Sequence, residues 1–347
     1  MSMKAKILEL LREKKDRVAA GAPESEAYVS GQELCEQFGV SRTAIWKAIG
    51  QLKKEGYVIE AVQNRGYRLL DQTEEVYNQA DIQSRLKTKW VAHPLLFFDS
   101  IDSTNIRAKL EAEQGAKSGL LVVSDMQSAG RGRRGRSWES PAGTNIYYTL
   151  MLKPDFSSDC APMLTLVMAL AVAKGIRQTL RRDSEEAAAK VGIKWPNDIV
   201  VDGKKVCGIL TEMSMEQGYI QHIVIGVGIN VRKQEFPEEI RDRAAAIDEQ
   251  CGFRISRSQL IADIMEAFEE DYEIFLRTHD LKGLRASYAE LLVNQDREVC
   301  VLDPKGEYRG IARGINDQGE LLVERQDGTV EEVYAGEVSV RGIYGYV

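Results

Sequence analysis

The densest chemistry in this chain lies between Ser128 and Trp138, SAGRGRRGRSW, where Arg131, Arg133, Arg134 and Arg136 alternate with Gly130, Gly132 and Gly135. Glycine permits backbone conformations that bring a loop against a ligand, and each guanidinium presents a rigid fork of donors matched to carboxylates and phosphates. The stretch predicts an anion-gripping loop. The same composition also suits a solvated charge run, a localisation signal or an RNA-binding arginine and glycine tract, so its surroundings must decide. Strand-like LLVVSDMQ precedes it and strand-like TNIYYTLMLKP follows it, which predicts a connection within a sheet, lying over a sheet-borne pocket.

Other segments carry compatible groups. IKWPNDIVVDGKKVCGILTEM reads as two β-rich runs about an Asp202–Gly203 turn, and it gathers Lys194, Asn197, Asp198 and Lys205. Two cations, an amide and a carboxylate suit phosphate and metal handling, although by spacing alone they are equally solvated edge charges. YIQHIVIGVGIN reads as a strand whose Gly226 and Gly228, just before Asn230, mark close backbone approach to a ligand. That pair lacks the third glycine and the following helix of a dinucleotide fingerprint, which excludes a Rossmann site. LLFFDSIDSTN reads as a strand running into Asp102, Ser103, Thr104 and Asn105, short polar groups able to line a pocket and to cap the helix IRAKLEAEQ.

The elements that hold these groups must come from an ordinary globular chain. At 347 residues two or three domains are expected, and 44% hydrophobic with 29% charged residues excludes disorder as the default. The longest nearly apolar run, Cys160 to Ala173, is interrupted by Pro162 and Thr165 and is shorter than the ~20 residues a bilayer requires, so a buried helix is expected. The N-terminus scatters Lys4, Lys6, Glu9, Arg12 and Glu13 among its apolar residues and lacks a secretory core. A cytoplasmic protein with no membrane partner is the expectation. Five widely spaced cysteines without a Cys-x-x-Cys pair point to buried free thiols, and the three histidines sit in no ligand or nucleophile motif. A zinc hydrolase and a histidine-based triad are thereby disfavoured.

The first seventy residues carry twelve basic and nine acidic side chains, net +3, leaving −10 for the remainder. That sign favours a polyanionic partner. Ile7, Leu8 and Leu11 share one helical face; Ser30 caps GQELCEQF, which Gly39 closes; Ser41 caps a third helix with Ala44, Ile45, Ala48, Ile49 and Leu52 facing inward. Ser41, Arg42, Thr43, Trp46 and Lys47 then lie outside near its start, where a recognition helix meets DNA, and YVIEAVQNRGYRLL reads as a hairpin with Arg65 at its tip. Helix, helix, helix, hairpin describes a winged helix-turn-helix over 1–70; a three-helix interaction domain that never meets DNA has the same pattern. Polar residues follow as a linker at 71–80.

In their order, DSTN at 102–105, Gln127 with GRGRRGR at 130–136, KWPND at 194–198, Lys205 with Gly208, and GVGIN at 226–230 resemble the biotin protein ligases. With the N-terminal winged helix, the chain resembles their bifunctional, repressor-type branch. The resemblance implies an α+β multidomain protein: a mixed α/β catalytic domain related to class II synthetases over 81–292, and an SH3-like β-barrel over 293–347. Short strands VCVLD, YRGIARGI, LLVERQ and TVEEVYAG support that barrel independently. The family's reaction joins biotin and ATP as biotinyl-5'-AMP, then passes biotin to a lysine of the biotin carboxyl carrier protein.

Bringing a carboxylate onto a phosphate joins like charges, so fixed cations and Mg²⁺ are expected along the line of attack. By resemblance Arg131, Arg133, Arg136 and Lys205 serve the chemistry, with Lys194 and Asp198 beside the reacting phosphate. Ser103, Thr104, Asn105, Gln127, Gly130, Gly208 and Gly226, together with Arg131, Arg133 and Lys205, match the biotin side; Arg134, Arg136, Trp138, Lys194 and Asn230 match the ATP side. Ala244, Ala245, Ala246 and Ile247 stand where many relatives carry an Ala-Thr-Ser-Leu-like segment, so nothing in that loop is carried over. Operator DNA and an adenylate-promoted homodimer are the further partners implied. Alternatives are a ligase without DNA binding, a ligand-sensing regulator without ligase activity, and a lipoate ligase; Lys205 and the complete arginine loop argue against the regulator, and GRGRRGR with KWPND favours biotin.

Overall fold

The computed structural model describes residues 1–72, 74–302, 306–334 and 339–342, and the chain divides into two compact units, Met1–Leu86 and Lys87–Val347. In the first, α1 (Met3–Ala19), α2 (Gly31–Phe38) and α3 (Arg42–Lys54) precede a two-stranded wing, β1 (Ile59–Val62) and β2 (Gly66–Leu69), and a short α4 (Gln79–Gln83). Ser30 and Ser41 cap α2 and α3 by accepting from the Glu33 and Ala44 amides at 3.0 and 3.3 Å, and Gly39 ends α2 in the left-handed region. Ile7, Leu8, Leu11, Leu34, Ile45, Ile49 and Leu52 close one core. The wing turn depends on Gly66, whose φ is +111° and whose added Cβ would lie 2.1 Å from the Val29 carbonyl oxygen.

The N-terminal unit extends past the expected linker. Asp81, on α4, is only 2% exposed; it accepts from the Tyr57 hydroxyl and Arg85 Nε, both at 3.2 Å, and pairs with Arg12. A buried carboxylate needs its counter-charges, and Arg12 lies on α1. The boundary therefore falls after Leu86 instead of after residue 80.

The second unit is built on a seven-stranded sheet. In chain order come β3 (Leu95–Phe98), α5 (Thr104–Glu113), β4 (Leu120–Ser124), β5 (Ile146–Leu152), α6 (Met163–Arg181), α7 (Glu185–Ala189), β6 (Val191–Lys194), β7 (Asp198–Val201), β8 (Lys204–Glu216), β9 (Tyr219–Ile229), α8 (Ile247–Cys251), α9 (Arg257–Thr278) and α10 (Arg285–Ala289). The spatial order is β3-β4-β5-β9-β8-β7-β6, parallel only between β3 and β4. Helix α6 has the length and hydropathy of a membrane span, more than its interrupted sequence suggests, yet 72% of that window is buried inside the protein. It packs on α9, where a Cβ at Gly175 would lie 2.8 Å from Ile264 backbone atoms. All five cysteines are free, but only Cys207, inside β8, is buried; the other four are half-buried, which corrects the expectation of buried thiols throughout.

Beyond α10, β10 (Glu298–Leu302), β11 (Tyr308–Ile315), β12 (Leu321–Glu324), β13 (Val330–Val333) and β14 (Ser339–Gly342) form the small SH3-like antiparallel sheet, ordered β13-β12-β11-β10-β14. Ala335 and Gly336, the end of the expected TVEEVYAG segment, lie outside the described residues.

Candidate active site

Three glycines make the floor of a cavity of about 310 Å³ on the large sheet. Gly208 on β8 faces Gly228 on β9, and Leu210 faces Gly226. A Cβ on Gly228 or Gly208 would lie 2.5 or 2.9 Å from the Trp138 indole, and one on Gly226 would lie 2.1 Å from Asn105 Oδ1. Any larger residue would fill the space that the indole and the amide now occupy, so the glycine signals in the strands report close approach.

One end of the cavity is a polar pocket. Ser103 occupies the N-cap position of α5, but its side chain makes no capping bond, contrary to the capping expectation, and its hydroxyl is left to the cavity lining. The Thr104 amide and hydroxyl both donate to Gln127 Oε1, at 2.9 and 3.1 Å. Gln127 Nε2 donates to Ser140 Oγ at 3.0 Å. Asn105 donates to Glu212 at 2.7 Å, and its Oδ1 lies 2.6 Å from the Thr149 hydroxyl. Burial pushes the Glu212 carboxyl up, but hydrogen bonds from Lys109 and Asn105 outweigh it and hold the group below the usual carboxylate range. A fully bonded network of this kind orients its members rigidly.

The other end is cationic. Between β4 and β5 the arginine loop folds on itself: the Trp138 amide donates to Gly130 O at 2.9 Å and the Gly132 amide to Arg136 O at 2.7 Å. Arg134 adopts φ +58° and Gly135 φ +71°, reversing the chain. Arg133 Nη1 donates to Asn197 Oδ1 at 2.7 Å, and Asn197 Nδ2 to Ile209 O at 3.1 Å. Burial lowers the Arg133 pKa from its ordinary value, opposed by the nearby charge of Asp198. Lys205 pairs with Asp198 at 2.5 Å and lies 5.6 Å from the Trp138 ring centroid. The segment after β9 returns to this end: the Lys205 amide donates to Arg243 O at 2.7 Å, the Ala245 amide to Lys205 O at 2.9 Å, and the Ile247 amide to Asn230 O at 3.0 Å.

Fourteen of the sixteen expected ligand-site residues line this one cavity. Gly130 and Lys194 do not. Gly130 packs under the loop, where a Cβ would meet the Trp138 carbonyl oxygen at 2.4 Å. Lys194 is 5% exposed on β6, the outermost strand, across from Asp198 on β7 and two strands beyond the glycine floor. Asn197 and Gly228 also line the cavity, and both carry sequence signals, an amide in a polar turn and a glycine inside a strand. Ile240, Arg243 and Ala244 line it without any local signal; backbone pairing to Lys205 brings them there. No group of three or more potential metal ligands occurs among the described residues.

On the first unit, Ser41, Arg42, Thr43, Trp46 and Lys47 are exposed along the start of α3, Trp46 by 68%. Arg65 is exposed in the wing turn, 5.6 Å from the Tyr28 ring centroid.

Residues 97–230 match the biotin/lipoate A/B protein ligase family, residues 24–68 an HTH domain, and residues 296–341 a biotin protein ligase C-terminal domain. The chain is 36% identical to the bifunctional ligase/repressor BirA of Bacillus subtilis (strain 168), over 94% of its own length and 98% of the relative's. It is 33% identical to the protein of the same name from Escherichia coli (strain K12), over 90% and 92%. Its structure is similar to that of the biotin protein ligase from Aquifex aeolicus in complex with biotin and ATP, with a TM-score of 0.60 and 28% identity over 72% of this chain and 98% of the other. The mixed sheet and its arginine-lined cavity thus define a ligase of the biotin and lipoate type. The chain belongs to the biotin protein ligase family, in its bifunctional branch with an N-terminal helix-turn-helix.

Proposed function

We propose that this protein activates biotin with ATP to biotinyl-5'-AMP, transfers biotin to a lysine of the biotin carboxyl carrier protein, and represses biotin biosynthesis genes when the adenylate stays bound. The observation that carries the ligase reading is the convergence, over one glycine floor, of a polar pocket at one end with the arginine loop and Lys205 at the other. In the first step a biotin carboxylate oxygen attacks the α-phosphorus, and the bond to pyrophosphate breaks. Thr104, Asn105 and Gln127 would hold the biotin rings. Lys205 and the loop arginines would screen the repulsion between carboxylate and phosphate, stabilising the charge that grows as they approach. In the second step the acceptor amine attacks the acyl carbon, AMP leaves, and the amine loses a proton. No side chain of this chain need act as a covalent nucleophile, because the acceptor amine attacks the activated acyl carbon itself. Mg²⁺ would add a charge carried chiefly on the nucleotide's own phosphates, with Asp198 the carboxylate in the cavity lining able to reach it. Because the reaction needs ATP and an intracellular acceptor, this reading implies a cytoplasmic protein.

The test is exchange of labelled pyrophosphate into ATP. Biotin is expected to support exchange and lipoate not; exchange with lipoate alone would make the chain a lipoate ligase.

The repressor reading rests on the exposed cations about α3 and the wing. A single winged helix reads a short half-site, so useful affinity calls for a dimer on a palindromic operator. If the adenylate orders the 130–135 and 231–247 loops, and those loops border the dimer surface, ligand binding lowers the ordering cost of dimerisation, and dimerisation tightens adenylate binding by the same factor. Arg42→Ala and Lys47→Ala are expected to weaken operator binding and flatten its salt dependence by about one counter-ion each, with adenylation intact. Gel-shift titrations at several salt concentrations, with biotin plus ATP and without, check this; equal operator affinity with and without ligands would remove the coupling and leave the ligase.

A further inference from the structure

We propose that Trp195 is a positioning residue through which the C-terminal domain holds the Asn197–Asp198 turn in working geometry, an inference that rests on the ligase reading. Trp195 is 1% exposed and sits in the connection between β6 and β7, outside the cavity lining. Its own polar groups turn away from the cavity. The indole Nε1 donates to Gly319 O at 3.0 Å, and the backbone amide donates to Asn294 Oδ1 at 3.2 Å. Both acceptors belong to the C-terminal part of the chain. The preceding segment joins the sheet edge beside them: the Ile193 amide donates to Leu291 O at 2.7 Å, and the Val293 amide to Ile193 O at 3.0 Å.

The turn that receives the indole has little room to slide. The Leu281 amide donates to Asp317 O at 2.7 Å, and Arg285 pairs with Asp317 at 2.9 Å. Gly319 itself takes φ +81°, and an added Cβ would lie 2.9 Å from Leu166 Cδ2 and Leu281 Cδ1. On the other side of Trp195, Asn197 receives the Arg133 guanidinium at 2.7 Å and Asp198 pairs with Lys205 at 2.5 Å. A rigid chain of bonds thus runs from the β11–β12 turn through Trp195 to two cations that line the cavity. Groups that grip a developing charge need placement within about 0.5 Å, and a directional indole N–H bond to a fixed carbonyl supplies that restraint where apolar packing alone would not.

Trp195→Phe keeps the aromatic bulk and removes the N–H. In the full-length protein it should speed adenylate release and lower kcat for pyrophosphate exchange by about three- to tenfold, the range of one neutral hydrogen bond, with KM for biotin unchanged. Gly319→Ala, remote from the cavity, should move the same quantities in the same direction. The discriminating measurement is a double-mutant cycle with Arg133→Ala: if Trp195 acts through the grip on Arg133, its release effect disappears in that background, whereas plain destabilisation adds. Circular dichroism melts show which variants are folded, and if Trp195→Phe is not, Gly319→Ala enters the cycle in its place. Unchanged release in the folded variant, or full additivity with Arg133→Ala, overturns the assignment. Wild-type exchange with biotin, run alongside, reports separately on the ligase reading.

Discussion

Lys205→Ala is expected to depress biotin-dependent pyrophosphate exchange by roughly 10²- to 10³-fold, the loss seen when one preorganised donor is removed from a developing anion. The ammonium lies in the cavity wall between the glycine floor and Asp198, and the Trp138 ring shields one side of it. Cations in such partly dry sites act on charge far more strongly than in water. Folding should hardly change: the Lys205 side chain keeps 25% of its exposure and Asp198 keeps 15%, so the pair is partly solvated and water can replace the lost ammonium. Single-turnover formation of the adenylate, followed beside a thermal melt, separates the two effects. Near-wild-type exchange would take Lys205 out of the chemistry, and a collapse of the melt would make its role structural.

The second large effect is expected at Arg133, where substitution by glycine should release the adenylate about ten- to a hundredfold faster. A charge-assisted hydrogen bond is worth about 1.5–3 kcal/mol, and each 1.4 kcal/mol is a factor of ten. Arg133→Gly also removes the 2.7 Å bond to Asn197, a side-chain tie between the loop and the β6–β7 connection. The loop would lose its anchor and its charge together, so escape of the intermediate should outrun any loss of stability. Adenylate that leaves the site acylates bystander lysines, so labelling of an unrelated protein in the same tube should rise with the release rate. A purified variant that holds adenylate as long as wild type would refute the role.

The local grammar of the winged helix was legible because each signal acts over a few residues. Ser30, Gly39 and Ser41 set helix ends by hydrogen bonds three residues away or by one left-handed residue, and the apolar stripe of α3 lies on one helical face. The strands of the catalytic domain were legible for the same reason: apolar runs, two of them joined by the turn at Asp202–Gly203, where both residues take positive φ. The end of the first unit was not, since polar composition at 71–80 is equally that of a linker and of a segment returning to its own domain. The choice lay with Asp81, Arg12 and Tyr57, which are distant in sequence and meet only after folding.

The candidate site divides along the same line. Residue type and order in the sequence determined the chemistry of this protein: arginines among glycines, a lysine and an aspartate on one hairpin, short polar side chains at a helix start, and through their resemblance the family. Tertiary structure alone decided which of those groups share a cavity. It put Lys194 two strands beyond the glycine floor, turned Gly130 into a packing residue, released the Ser103 hydroxyl from its capping duty, and brought Arg243 and Ala244 into the wall through backbone bonds to Lys205. Chemical capacity is a property of single side chains and can be read one residue at a time; proximity is set by strand register and by the return path of a loop, which depend on contacts across the whole sheet.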